Sequence, residues 1–178
     1  MLILPASTRL PRLWHNIDIA LKGPELFNQE VQQGLRAQCA TVHQNFIDWM
    51  EDYDAYCMSQ SHLTPSPHES AIRRELKGVA MECLMIVKRL LASVWDEKRE
   101  ALEIEAQVLA RSLLELHNLP SPKHSWLFME HEVGVVQSIL PTTRQWQDPL
   151  SYASEYEKKI ETRARYAAWT GLLQPMAS

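Results

Sequence analysis

The residues with the strongest claim to chemistry lie in one short segment. The stretch from about Ser125 to Leu140 reads as a helix. At about 100° per residue, Trp126, Phe128, Met129, Val133, Val135, Val136, Ile139 and Leu140 share one half of its surface. Leu127, Glu130, His131, Gly134, Gln137 and Ser138 fill the other half, and Glu132 falls in the middle of the apolar one. A carboxylate placed there loses its water, its pKa rises, and it could serve as an acid or base near neutral pH. The competing reading is a Glu that reaches an Arg, Tyr or backbone partner at the rim of the core. His131, next to it in sequence, and His43, at the edge of another apolar stripe, stand in reserve as catalytic candidates. A lone His at such an edge also serves as an ordinary boundary residue.

Other chemistries are excluded by what their motifs require. A phosphate-binding loop needs glycines at fixed spacing, and the 5 glycines here are scattered singly. His131-Glu132 opens like a zinc-protease His-Glu-x-x-His, but position 135 is Val135, so the second ligand one turn on is missing. There is no Gly-x-Ser-x-Gly elbow, and the acidic clusters Glu51-Asp52-Tyr53-Asp54 and Glu103-Ile104-Glu105 do not match an aspartate-rich magnesium motif. Cys39, Cys57 and Cys83 are odd in number and far apart, which suggests neither a disulfide framework nor a zinc site. No metal and no cofactor are therefore expected. The three thiols fit small apolar fillers in a reducing compartment.

These residues must be positioned by helices. Of 178 residues, 46% are hydrophobic, enough for one domain with a core of its own. With 5 glycines and 10 prolines, turn punctuation is thin for an all-β fold and ample for a helical one. Pro11, Pro24, Pro67, Pro122 and Pro149 each sit just before an amphipathic run, where a missing N–H does no harm. Ser66, three residues before Glu69, completes a capping-box pattern, and Ser121 and Asp148 are further N-cap candidates. A short helix is predicted from about Pro11 to Leu21. The next runs from Leu26 to about Tyr53, with Phe27, Val31, Leu35, Val42, Phe46, Trp49 and Tyr53 on one face. Residues 58–68, polar and holding two prolines, are predicted as a loop.

The run from Glu69 to Trp95 is the most apolar. Ile72, Leu76, Val79, Cys83, Ile86, Leu90 and Val94 make one stripe, with Met81, Leu84, Met85 and Leu91 opposite. A helix apolar on two sides is buried between neighbours, so this one is predicted to be central. Leu102, Ala106, Leu109, Leu113 and Leu116 form the next stripe. The few charged residues between the two allow an αα-hairpin or one long bent helix. A helix from about Leu150 to Trp169 follows the one that carries Glu132, and residues 170–178 read as a loose tail. The expected architecture is an all-α, single-domain bundle of five to six amphipathic helices over residues 1–178.

Charge and hydropathy set further bounds. The net charge is −4, without a block of five like charges. Lys158, Lys159, Arg163 and Arg165 alternate with Glu155, Glu157 and Glu161, which reads as a solvated, ion-paired helix face rather than a nucleic-acid surface. No apolar run approaches the roughly 20 residues that span a bilayer, and Pro5 and Pro11 interrupt any N-terminal leader pattern. An intracellular protein, of nucleus or cytoplasm, is expected.

Two segments resemble a known family. LPRLWHNIDIAL near the start and SWLFMEHEVGVVQSILPTTRQWQDPL at 125–150 are similar to the helical fungal-specific regulatory domain of zinc binuclear-cluster transcription factors, of the kind met in secondary-metabolite gene clusters. The likeness is one of texture: amphipathic helices, scattered Trp and Leu-Pro breaks. The six-cysteine zinc cluster of that family has no counterpart among these three widely spaced Cys. The resemblance thus implies a regulatory domain without its DNA reader and no direct binding of nucleic acid. It transfers no functional residue.

Two functions from different classes follow. One is a regulator-like module of a fungal biosynthetic pathway, binding a protein partner or a small apolar effector. It predicts an exposed apolar patch of several hundred Å², or a homodimer that hides one. The other is a small cyclase- or isomerase-type enzyme acting on an apolar intermediate, with Glu132 as its one buried acid or base.

Overall fold

Proline and side-chain caps decide where the helices begin. A computed structural model describes residues 9–23, 28–119, 126–140 and 155–172, with side chains throughout except at 126–131, 155–159 and 172. Helix α1, Leu10–Lys22, carries Pro11 in its first turn and buries Leu10, Leu13, Trp14, Ile17 and Leu21 on one face. Helix α2, Gln29–Ser59, starts where the Asn28 side chain accepts from the Val31 N–H at 2.9 Å. It buries Leu35, Cys39, Val42, Phe46, Trp49 and Tyr53, at alternating spacings of four and three that keep one seam inward. Helix α3, Pro67–Val94, begins at Ser66, whose Oγ accepts from the Glu69 N–H at 3.1 Å, as the capping pattern predicts. The connection before it is shorter than the sequence suggests. α2 continues through Met58 and Ser59, and α3 already includes Pro67 and His68, leaving residues 60–66 as the loop.

Helix α3 is the axis of the bundle. From Leu84 to Val94 every residue is buried, charged ones included, because α2, α4, α5 and α1 all pack on it. Its first turns are different: Ile72 and Leu76, on the expected apolar stripe, are exposed. The chain breaks at Trp95 and turns through the 3-10 segment Asp96–Lys98 into α4, Arg99–His117. The result is a hairpin rather than one bent helix. Lys88 meets Glu105, Arg89 meets Glu103, and Arg74 donates to the Leu119 carbonyl at 3.0 Å, so α4 runs antiparallel to α3. The end of α3 is closed from the side. Gln32 and Arg36 of α2 donate to the Val94 carbonyl, and Arg36 and Lys98 cover the face of Trp95.

Helix α5, Trp126–Ile139, returns along α3 and α4. Helix α6, Glu155–Leu172, packs mainly on α1. There Arg163 donates to the Ala20 and Leu21 carbonyls at 2.6 and 2.8 Å, satisfying acceptors that the end of a helix leaves open. Thr170 donates to Asp18 at 2.7 Å and is fully buried. The expected loose tail therefore begins later than position 170, since α6 carries on through Gly171 to Leu172. Residues 173–178, and the N-cap candidates Ser121 and Asp148, lie outside the described residues. Arg165 pairs with Glu161 along α6, in keeping with an ion-paired face. The fold is an all-α, single-domain helical bundle. None of the described helices is long and apolar enough to cross a membrane.

Candidate functional site

Glu132 is where the sequence is at odds with its own pattern, and the structure keeps the conflict. Its side chain is 1% exposed, and neither carboxylate oxygen has a hydrogen-bond partner. A buried polar group without a partner costs on the order of 1–3 kcal/mol, more when charged, so its presence calls for a reason. The carboxylate lies against Gly78 of α3. A Cβ at that glycine would stand 2.6 Å from Oε2 and 3.0 Å from Oε1. Only a residue without a side chain leaves room for the carboxylate to sit on the helix backbone.

Two acids of α3 act on it electrostatically. Ala71, Glu75, Gly78 and Glu82 follow one another at four, three and four residues, which places them on one face of α3. Burial pushes the Glu132 pKa from its ordinary value up to about 8, and the charges of Glu82 and then Glu75 add to the rise. The thiol of Cys83, on the same helix, is pushed up to about 12, first by burial and then by Glu82 and Glu132. At neutral pH this corner holds a neutral carboxylic acid and an unreactive thiol. Among the described residues no three His, Cys, Asp or Glu side chains are grouped so as to hold a metal ion.

The other two candidates do not join it. His43 of α2 is half-buried, and its Nε2 lies 3.0 Å from the Nζ of Lys88, which also donates to Glu105. Burial and the neighbouring Lys88 lower the pKa of His43. Lys88 is ten residues beyond Gly78, about 15 Å along the helix axis, so this cluster belongs to another level of the bundle. It ties α2, α3 and α4 together. The side chain of His131 lies outside the described residues. An open groove of about 510 Å³ between α1 and α2 is lined by Arg9, Arg12, Leu13, Gln38, Thr41 and Val42, and Glu132 is not on its wall.

Partners of the kind weighed for Glu132 are found instead at Glu103. This carboxylate, 5% exposed, accepts from Arg89 Nε at 3.1 Å and from the Tyr166 hydroxyl at 2.7 Å. Arg89 also donates to the Ser138 carbonyl at 3.3 Å, and its guanidinium lies 4.6 Å from the ring centre of Trp169. Helices α3, α4, α5 and α6 meet at this node.

The residues that sequence reasoning missed are Gly78, Glu75 and Glu82. A signal for them exists: a glycine inside an otherwise apolar helix, with a Glu three residues before and another four residues after on the same face. No protein-family model, no curated protein and no solved structure matches the chain.

Proposed function

We propose that this chain is a regulator-like helical module that binds a small apolar effector at the corner where α5 crosses α3. The observation that carries this reading is Glu132, buried to 1% exposure with both oxygens unpartnered against Gly78. An incoming donor would satisfy a group that the protein leaves open, so binding would recover much of the desolvation cost of folding. Exposed apolar side chains lie toward the start of α3, where Ile72 and Leu76 are exposed on the side of the helix away from Gly78. Tyr56, Met58, Leu63 and Leu119 are exposed at the same end of the bundle, where α2 ends, α3 begins and α4 ends.

The test is titration of the full chain with n-octanol, followed by methyl NMR. Shifts are expected at Val79 and Val135, around the corner. Shifts elsewhere only, or none, would remove the reading. A second reading rests on the protonation of Glu132. With a pKa of about 8, it is poised to donate or accept a proton near neutral pH, as a cyclase or isomerase acting on an apolar intermediate would need. Glu132→Gln separates the two. An enzyme would keep its affinity for the bound compound and lose turnover, whereas a binding module has no turnover to lose.

A further inference from the structure

We propose that the groove between α1 and α2 is a separate binding site, which takes a small molecule carrying a carboxylate on an apolar body and grips the carboxylate with Arg9 and Arg12. The proposal does not rest on the reading of the Glu132 corner, since Glu132 is not on the wall of this groove.

The groove holds about 510 Å³, within the roughly 300–1,000 Å³ of small-molecule sites. Leu13 and Val42 are its buried apolar lining, and Arg9, Arg12, Gln38 and Thr41 are its exposed polar one. The lining holds no acid. Among the described residues neither guanidinium has a carboxylate or a carbonyl as its partner. Arginine is used differently elsewhere in the chain: Arg36, Arg73, Arg89, Arg99, Arg163 and Arg165 each donate to a carbonyl or a carboxylate. Two like charges three residues apart on a helix repel each other, and an anion held by both removes that repulsion. The net charge of the chain is −4, so this pair of uncompensated cations beside an apolar wall is a local feature and not part of a generally basic surface.

The lining also selects the kind of anion. A guanidinium meets a carboxylate through two parallel N–H···O bonds. An exposed Arg–carboxylate pair contributes little by itself, so apolar contact with Leu13 and Val42 must supply the rest of the affinity. Both parts then belong on one molecule. Inorganic phosphate would engage the guanidiniums and leave the apolar wall wet. From the α2 side Gln38 adds an amide donor, whereas the Thr41 hydroxyl is already donated to the Ala37 carbonyl at 3.0 Å.

The experiment is isothermal titration of the full chain with n-octanoate, n-octanol and inorganic phosphate at pH 7, with methyl NMR to locate the site. Octanoate is expected to bind at least tenfold more tightly than either of the others and to shift the methyls of Leu13 and Val42. Its affinity should fall severalfold between about 50 and about 500 mM salt. Arg12→Gln should weaken octanoate about tenfold and leave octanol unchanged. Arg12→Lys keeps the charge without the fork and should restore only part of the loss. Arg9→Gln should weaken octanoate severalfold. Arg111→Gln removes an exposed charge on α4 and should change nothing. Both groove arginines are exposed, so their variants should melt with the parent chain. Phosphate as tight as octanoate would overturn the apolar half of the assignment, and octanol as tight would overturn the anionic half. Absence of octanoate binding, shifts only away from Leu13 and Val42, or an affinity that survives Arg12→Gln would overturn the site itself.

Discussion

Glu132 and Glu103 are both carboxylates taken out of water, on helices that pack against each other and against α3. Glu103 is met by an arginine and a tyrosine. Glu132 is met by a glycine and two other acids. At Glu103 the carboxylate is tied by donors and used as a knot between four helices. At Glu132 the charge is suppressed and the hydrogen-bonding capacity is left over. The contrast separates a buried acid that holds the fold from one that the fold tolerates at a cost, and it is the second kind that points to function.

The largest effect is expected at the paired node. Arg89→Met would leave Glu103 buried beside Tyr166 alone and remove the guanidinium from the face of Trp169. Loss of one partner from a buried pair costs about 3–5 kcal/mol, read as a lower urea midpoint with an unchanged m-value. The double variant Arg89→Met with Glu103→Leu should recover most of that loss, because no unpaired charge remains. A double variant as unstable as the single would show that the node matters for shape rather than charge.

Glu132 should respond in the opposite sense. Its folded pKa, about 8, lies above its ordinary value of 4.5. Below pH 4.5 both folded and unfolded chains carry the proton, and the site costs nothing in charge. Between pH 4.5 and 8 the unfolded chain releases the proton while the folded chain keeps it. Folding stability therefore falls across this window by up to about 1.4 kcal/mol per pH unit. Above pH 8 both states are ionised and the loss is complete. Glu132→Gln should be near-neutral at pH 4 and stabilising by a few kcal/mol at pH 8, in urea titrations at both pH values. A difference that does not grow with pH would mean that Glu132 meets a cation or water in solution.

Tyr166→Phe tests the smaller half of the paired node. It removes the hydroxyl that donates to Glu103 at 2.7 Å and leaves the ring in place. A hydrogen bond to a charged group contributes about 1.5–3 kcal/mol. The loss should shrink to a few tenths when Glu103 is Leu, since the donor then has nothing to serve. An undiminished loss in that background would assign the effect to ring packing.

The two acids also differ in how far the sequence gives them away. Glu132 stands out because it breaks an apolar half-helix, and such a break depends only on residues a few positions apart. The seam of α2 and the Ser66 cap are legible for the same reason: spacings of three and four are local. Arg89 and Glu103 are unremarkable in sequence, and Tyr166 is 63 residues beyond the carboxylate it donates to. Their pairing is a property of the bundle, which no local period encodes. Gly78 and Glu132 are separated by 54 positions in the same way, so the glycine's role appears only once α5 is laid on α3. Ile72 and Leu76 mislead in the other direction. The apolar stripe of α3 extends over its whole length, whereas the bundle surrounds only its later turns. The regulatory resemblance has no residue-level motif, and nothing in the packing substitutes for one.

The smallest effect, and the sharpest probe of the corner, is at Gly78. In an exposed helix, Gly→Ala is worth about 1 kcal/mol in favour of folding. At Gly78 the new methyl group would meet the carboxylate at 2.6 Å, so Glu132 must move off the backbone. Overpacking of this kind costs about 1–3 kcal/mol, and Gly78→Ala alone should be neutral or destabilising by about 1 kcal/mol. In a Glu132→Ala background the space is free, and the same change should stabilise by about 1 kcal/mol. The sign reversal, measured as a double-mutant cycle, would give a coupling near 2 kcal/mol between residues on different helices. If Gly78→Ala stabilises both backgrounds equally, the carboxylate does not rest on this glycine in solution.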